Sequence, residues 1–208
     1  MHGVQTSLMV MFVIGIVAGV IGVLVGAIAG YYRGGRDTAL MRFTDLVITV
    51  PTIVIGAVIG KLSGQISAPV FAVSLGLILW TTLSRLVRGE FLALREREFV
   101  DAARVAGASS ARIIFKHILP NALSPIVVSA SLIVAGNIIG EAFVSFLGFG
   151  VDPTSPTWGN ILSGGLQFIA LGNWWWPLFP GLAIIITVLA VNFVGDGMRD
   201  AFDPRSRG

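Results

Sequence analysis

Five long apolar runs separated by polar segments set the pattern of this chain. The runs cover Leu8–Gly30, Leu46–Gly60, Pro69–Leu83, Ala122–Phe146 and Leu178–Val194. Their apolar residues are continuous and do not alternate with polar ones, which favours helices over the strands of a membrane barrel. Runs of this kind are long enough, with their flanks, to cross a hydrocarbon core about 30 Å thick. The pattern predicts an all-α, polytopic membrane protein with about five transmembrane helices.

The first two runs carry further local signals. In the first, Gly15, Gly19, Gly22, Gly26 and Gly30 recur at three- or four-residue spacing, which predicts close packing against a neighbouring helix. A short basic loop, residues 31–45, should follow. The second run is short, and we expect Phe43, Thr44 and a snorkelling Lys61 to complete it. Pro51 is expected to kink it.

The composition agrees with a membrane protein and excludes several kinds of catalytic and metal site. The 208 residues are 55% hydrophobic and 12% charged, with a mean hydropathy of +0.88. There is no cysteine, which excludes disulfides, thiolate catalysis and cysteine metal sites. The sequence lacks the phosphate-binding pattern GxxxxGK[ST] and any Ser-His-Asp or zinc-ligand spacing. We therefore predict no catalytic residue, no metal site and no bound cofactor, so the chain is not itself an ATPase.

The charges predict the orientation. With the amino terminus outside, residues 31–45, 84–119 and 195–208 face the cytoplasm and hold three, seven and three basic residues, which is 13 of the 14 Lys and Arg. Only Lys61 then lies outside, as the positive-inside rule requires. The carboxyl-terminal tail, residues 195–208, is accordingly cytoplasmic, and the external loop is residues 147–177.

That external loop carries two features of its own. The apolar piece Ile161–Gly172 is too short to span and is expected to be re-entrant or interfacial. Trp174, Trp175 and Trp176 are typical of an aromatic belt.

The cytoplasmic polar segment, residues 90–120, is the longest polar stretch of the chain. We predict a helix over Glu90–Val105, a break at Gly107, a cap at Ser109 or Ser110, and a second helix over Ala111–Leu119. Pro120 would then restart the chain towards the fourth run, with both helices parallel to the membrane surface. The small residues around Gly107 would let another protein pack closely there.

Glu141 is a carboxylate inside an apolar run. Placing an ionisable side chain within a membrane span costs free energy, so we expect this residue to have a role. One interpretation is a transport pathway, gate or proton relay. The other is structural, with Glu141 hydrogen-bonded to Asn137 or to a neighbouring helix.

The segment DAARVAGASSARIIFKHILPN resembles the EAA loop of bacterial ABC-importer permeases, in particular the dipeptide, oligopeptide and nickel subfamily. Three more segments are similar to the same subfamily: YYRGGRDTALMRFTD, EAFVSFLGFGVDPTSPTWGNIL and WPLFPGLAIIITVLAVNFVGDGMRDAFDPR. The resemblance covers nearly the whole chain, so residues 1–208 are expected to form a single permease domain of the type I importer fold.

The resemblance implies that the polar segment docks into a cytoplasmic ATP-binding subunit. The residues it implies for ATPase coupling are Asp101, Ala102, Ala103, Gly107, Ala108, Leu119 and Pro120. Two of the family's positions differ, with Asp101 in place of glutamate and His117 in place of isoleucine. The implied partners are a second homologous permease, two ATP-binding subunits that bind the ATP, an external substrate-binding protein and the bilayer of the bacterial inner membrane. Nucleic acid is not among them.

The resemblance also implies one further transmembrane helix ahead of the first run, and this chain is expected to lack it. Two alternatives to an ATP-driven peptide importer remain open at this stage. One is an ion-coupled secondary transporter or channel that uses Glu141. The other is an inactive, truncated permease.

Overall fold

The computed structural model describes residues 2–62 and 66–202, and this part of the chain is helical without a strand. The α-helices are α1 (His2–Tyr32), α2 (Gly34–Thr49), α3 (Thr52–Leu62), α4 (Ala68–Leu94), α5 (Glu98–Val105), α6 (Ser110–Arg112), α7 (Leu119–Phe146), α8 (Trp158–Ile169) and α9 (Trp175–Phe202). A π-helical turn, Ile113–Ile118, joins α6 to α7. The predicted all-α class is confirmed.

The glycines of α1 place it directly against α4. A Cβ atom at Gly22 would approach the Trp80 carbonyl oxygen to 2.9 Å, and one at Gly30 would approach the Phe91 Cβ to 2.6 Å. On α4, a Cβ at Gly76 would meet the Val17 Cβ at 2.7 Å. These pairs show that α1 and α4 run parallel and end at the same end of the bundle. The predicted close packing is confirmed for Gly22, Gly26 and Gly30, whereas Gly19 faces open space.

The predicted loop over residues 31–45 is wrong, because α2 begins at Gly34. The second run is instead divided between α2 and α3, which meet at an angle of 73°. Val50, the residue before Pro51, is extended at φ −88° and ψ 120°, as expected for a residue whose helical conformation clashes with a following proline ring. The kink predicted at Pro51 is thereby confirmed as a break. The side chain of Lys61, which we expected to snorkel, lies outside the described residues.

Four helical stretches are long and apolar enough to cross a membrane, and the bent α2–α3 pair is a candidate for a fifth crossing. Since α1 and α4 are parallel, the chain between them has to return to the opposite end of the bundle. The α2–α3 pair makes that return. α7 is antiparallel to α1, because Met11 clusters with Ile138, Gly15 approaches Val134, and Tyr31 shares a cluster with Ala122.

Two predicted boundaries within the polar segment are wrong. The single helix expected over Glu90–Val105 is interrupted, because α4 continues to Leu94 and α5 begins only at Glu98. The separate second helix over Ala111–Leu119 does not exist, since Ser110–Phe146 is one continuous stretch of 37 residues. Pro120 lies inside this stretch, directly after the π-helical turn, where the Leu119 N–H donates to the Ile114 carbonyl five residues earlier. A π-helical turn is a local departure from regular α-helical bonding, and it stands here next to the proline that cannot donate.

At the opposite end of the bundle, α8 packs on α7 and α9. A Cβ atom at Gly159 would meet the Ser145 Cβ at 2.6 Å, and one at Gly165 would meet Trp176 Cδ1 at 2.8 Å. The apolar piece predicted as re-entrant or interfacial is thus the short helix α8. The tail continues α9 as far as Phe202, and the rest of it, residues 203–208, lies outside the described residues.

Candidate functional site

The helix α5 has one buried face and one exposed face. Val100 is fully buried and Ala103 is 8% exposed, and both belong to an apolar cluster that includes Tyr31 of α1 and Phe91 of α4. Asp101 and Ala102 are exposed on the other side of the helix. The residues that the resemblance grouped as one motif therefore have two environments, with Ala103 fixing the helix to the protein and Asp101 and Ala102 facing outward.

The turn after α5 explains why glycine stands at position 107. Gly107 has φ +75°, a left-handed conformation that residues with a Cβ rarely adopt. Its N–H donates to the Arg104 carbonyl at 3.0 Å, and the Ala108 N–H donates to the Ala103 carbonyl at 3.0 Å. These two bonds form the Schellman motif that ends many helices. The predicted break at Gly107 is confirmed, and a Cβ there would meet no atom within 4 Å, so the requirement for glycine is conformational.

After this turn the chain enters the long helix that leads to the opposite end of the bundle. The Ser109 hydroxyl accepts from the Arg112 N–H at 3.4 Å, which assigns the predicted cap to Ser109. In the π-helical turn, Ile113, Ile114 and Ile118 are buried in the same cluster as Val100. Leu119 is half-buried against that cluster, whereas Pro120 is exposed.

The exposed side of the polar segment includes apolar residues that sequence reasoning missed. Val105 is 90% exposed and Phe115 is 55% exposed. Together with Ala102, Ala106 and Gly107 they make a surface of small and apolar groups bordered by charge. The Asp101–Arg104 ion pair at 2.7 Å lies on this border and is exposed on both sides, so it contributes little to stability. The signal for Val105 was its place on the helix side opposite Ala103.

Glu141 lies at the opposite end of the bundle and is 2% exposed. Its Oε1 accepts a hydrogen bond from the Ser145 hydroxyl at 2.8 Å, and Thr157 lies near the carboxylate. Thr157 also caps α8, accepting from the Asn160 N–H at 3.2 Å. Glu141 is thus bonded within α7 and lies beside the residue that caps α8.

The structure does not bring Asn137 and Glu141 together in the expected way. Asn137 is 8% exposed, and its Nδ2 has no hydrogen-bond partner within the described part of the chain. The structural interpretation of Glu141 is therefore supported by its hydrogen bond with Ser145, and the specific pairing with Asn137 is wrong. A role of either residue in a pathway or gate stays a prediction.

Trp158 is also fixed inside the protein. It is 4% exposed, and its main-chain N–H donates to the Ser7 hydroxyl of α1 at 2.9 Å. Trp174, Trp175 and Trp176 are by contrast 46–62% exposed, which agrees with a belt at the membrane boundary.

Known proteins are similar to this chain in sequence and in fold. Residues 22–208 match the family described as binding-protein-dependent transport system inner membrane component. The chain belongs to that family. As an inner membrane component it is a multi-pass membrane protein of a transport system, and it works with other subunits.

Several curated members of this family are close in sequence. A putative peptide transport system permease protein of Brucella suis is 40% identical over 206 residues, which is 99% of this chain and 68% of that protein. A putative peptide permease protein of Brucella ovis is 45% identical over 177 residues, or 83% of this chain and 58% of that protein. The oligopeptide transport system permease protein OppC of Haemophilus influenzae is 40% identical over 181 residues, or 87% and 58%. The chain therefore spans about three fifths to two thirds of its relatives' length.

The fold is also known from a solved structure. A chain of the inward-facing MetNI methionine ABC transporter superposes with a TM-score of 0.76 over 96% of this chain and 94% of that one, at 24% sequence identity. The predicted type I importer permease fold is confirmed by this match.

Proposed function

We propose that this chain is a permease subunit of an ATP-driven importer of dipeptides or oligopeptides. The names of the Brucella and Haemophilus relatives support the peptide class. The observation that carries the coupling mechanism is the exposed apolar surface around Gly107, held on a short helix whose other face is buried in the bundle. ATP is bound and hydrolysed by separate subunits.

The proposed assembly contains a second homologous permease, two cytoplasmic ATP-binding subunits and an external binding protein. Asp101, Ala102 and Gly107 contact an ATP-binding subunit, while Ala103, Ala108 and Leu119 hold the contact surface against the bundle. The amino terminus lies outside and the carboxyl terminus in the cytoplasm. This orientation rests on the basic residues, since the end of the bundle that carries α5 also carries Arg33, Arg88 and Arg104.

The test is peptide uptake into proteoliposomes that contain this chain, its companion subunits and the binding protein. Val105→Asp places a charge at the most exposed apolar residue of the surface, and we expect loss of co-purifying ATP-binding subunit and of uptake. Leu171→Asp, at a residue that is 72% exposed at the opposite end, is the matched control and should retain subunit binding. Uptake that needs neither nucleotide nor the ATP-binding subunits would contradict the proposal and favour a secondary transporter.

A further inference from the structure

Two corners of the chain are joined at the end of the bundle that carries α5. One corner links α1 to α2 and contains Tyr31 and Arg33. The other links α4 to α5 and contains Arg95 and Glu96. Arg95 Nη1 donates a hydrogen bond to the main-chain carbonyl of Tyr31, and its guanidinium carbon lies 5.7 Å from the centroid of the Tyr31 ring. Arg33 Nη2 lies 2.7 Å from Glu96 Oε1. We call these four residues the corner lock.

The corner between α1 and α2 is in a strained conformation. Arg33 has φ +54° and is the residue other than glycine with a positive φ in the described part of the chain. Gly34 follows with φ +60°. A left-handed arginine persists only where its surroundings impose the conformation. Here the α4–α5 corner contributes, because Arg95 donates to the Tyr31 carbonyl near the end of α1. Glu96 also pairs with the Arg33 side chain, but this pair is exposed on both sides and is the weaker of the two contacts.

Arg95 meets two demands of this position, and lysine would meet only the first. A cation at the carboxyl end of a helix complements the helix dipole. The planar guanidinium can also lie over an aromatic ring while it donates in a fixed direction, which a lysine ammonium cannot do. Arg95 Nε is nevertheless buried with no hydrogen-bond partner in residues 2–62 and 66–202, a cost that stability alone does not favour.

The lock lies directly beside the surface that contacts the ATP-binding subunit. Arg95 and Glu96 precede the first residue of α5, Glu98, by three and two positions, so a displacement of α5 moves them. Tyr31 belongs to the same buried cluster as Val100 and Ala103 of α5. The neighbouring α2 is joined to α4 by two further bonds, from Arg88 Nε and Nη2 to the Asp37 carboxylate at 2.6 and 2.7 Å.

We propose that Arg95 is a positioning residue that transmits movement of α5 to the carboxyl end of α1. The inference rests on the proposed function, because the movement comes from ATP-driven closure of the partner subunits. Loss of the lock should leave α5 able to dock, since the docking surface lies on the other side of that helix. It should uncouple hydrolysis from transport.

The test uses the complete reconstituted complex and measures three quantities: co-purification of the ATP-binding subunit, ATP hydrolysis, and peptides imported per ATP hydrolysed. Arg95→Lys keeps the charge but removes the planar guanidinium, and with it the Nη1 hydrogen bond to the Tyr31 carbonyl and the contact with the Tyr31 ring. We expect subunit binding and hydrolysis to persist while the peptides imported per ATP fall about fivefold or more, the lower range of measured couplings between sites. Arg42→Ala removes an exposed cation of α2 that lies outside the corner lock, and this control should match the wild type.

A second variant pair tests the lock independently of Arg95. Glu96→Arg places two cations together and should lower the ratio of import to hydrolysis, and adding Arg33→Glu should restore part of it. An unchanged ratio in both Arg95→Lys and Glu96→Arg overturns the lock while leaving the proposed function intact. Loss of subunit binding in parallel with uptake also overturns it, because Arg95 would then only support the docking surface. A wild-type complex that imports without nucleotide overturns the proposed function itself.

Discussion

At the scale of single residues, backbone conformation separates glycines that look alike in the sequence. Gly107 has a positive φ and an open environment, while Gly89 on α4 has an equally open environment within a regular helix. Glycine is required at position 107 by the left-handed turn, whereas at position 89 it only lowers the stability of a helix.

This difference predicts that alanine is harmful at position 107 and harmless at position 89. Gly107→Ala should destabilise the turn by about 1–2 kcal/mol, the usual cost of a left-handed residue with a Cβ, and should reduce co-purification of the ATP-binding subunit. Gly107→Asn should be milder, because asparagine visits this conformation more readily. Gly89→Ala, the control, should leave subunit binding unchanged. Equal subunit binding in Gly107→Ala and the wild type would show that the turn does not govern docking.

Glu141 illustrates how a buried carboxylate can be explained by its neighbours. Glu141→Gln keeps an oxygen that can accept from Ser145, so we expect peptide uptake to persist. Glu141→Leu leaves the buried Ser145 hydroxyl without this acceptor and should lower the free energy of unfolding by about 1–3 kcal/mol. Uptake and thermal unfolding in detergent check both expectations. Abolished uptake in a stable Glu141→Gln protein would instead assign a transport role to the carboxylate.

At the scale of elements, glycines on both α1 and α4 bring these two helices into close contact. Gly26 faces the Val87 side chain, where an added Cβ would lie 2.7 Å from the Val87 Cβ. A helix backbone has to move to relieve such a contact, since a branched Cβ cannot swing aside.

We therefore expect Gly26→Ala to cost about 1–3 kcal/mol, as overpacking of a well-packed core usually does. Gly19→Ala on the same helix is the matched control, because a Cβ there would meet nothing within 4 Å. The measurement is the midpoint of thermal unfolding of the purified protein. Similar midpoints for the two variants would mean that α1 and α4 are not held at this distance.

The same scale shows what local sequence pattern can and cannot predict. The long helices and the break at Pro51 follow from runs of apolar residues and from proline stereochemistry, both visible locally. α2 was missed, because its polar residues are joined to partners far along the chain: Asp37 to Arg88, and Asp45 to Arg85 at 2.6 Å. Periodicity over a short window carries no information on such pairs.

Some features of the candidate site were likewise predictable from the local sequence, and others depend on the fold. Gly107 and the Ser109 cap were predictable, since each rests on hydrogen bonds within a few residues. That Ala103 is buried while Ala102 is exposed depends on how α5 packs against Ile113 and Ile114, and two adjacent alanines give no hint of it. The corner lock joins residues more than 60 positions apart, so only the fold reveals it.

At the scale of the whole molecule, the candidate span Ser110–Phe146 runs from the polar segment to the tryptophan-rich loop, so the proposed topology puts these two regions on opposite sides of the bilayer. The chain has no cysteine, so a single introduced cysteine reports one position. In intact bacterial cells with a permeable outer membrane, Leu171→Cys should react with a membrane-impermeant maleimide, and Val105→Cys should react only after the inner membrane is opened. The opposite labelling pattern would reverse the proposed orientation.

The continuous helix from Ser110 to Phe146 can turn a small tilt at one end of the bundle into a larger displacement at the other. Its 37 residues correspond to about 55 Å at 1.5 Å per residue. If its inner end is held beside the ATP-binding subunit, a tilt of about 10° moves its outer end by about 10 Å. A displacement too small to disturb the docked surface would then shift Glu141 and the attached α8 by the width of a peptide chain.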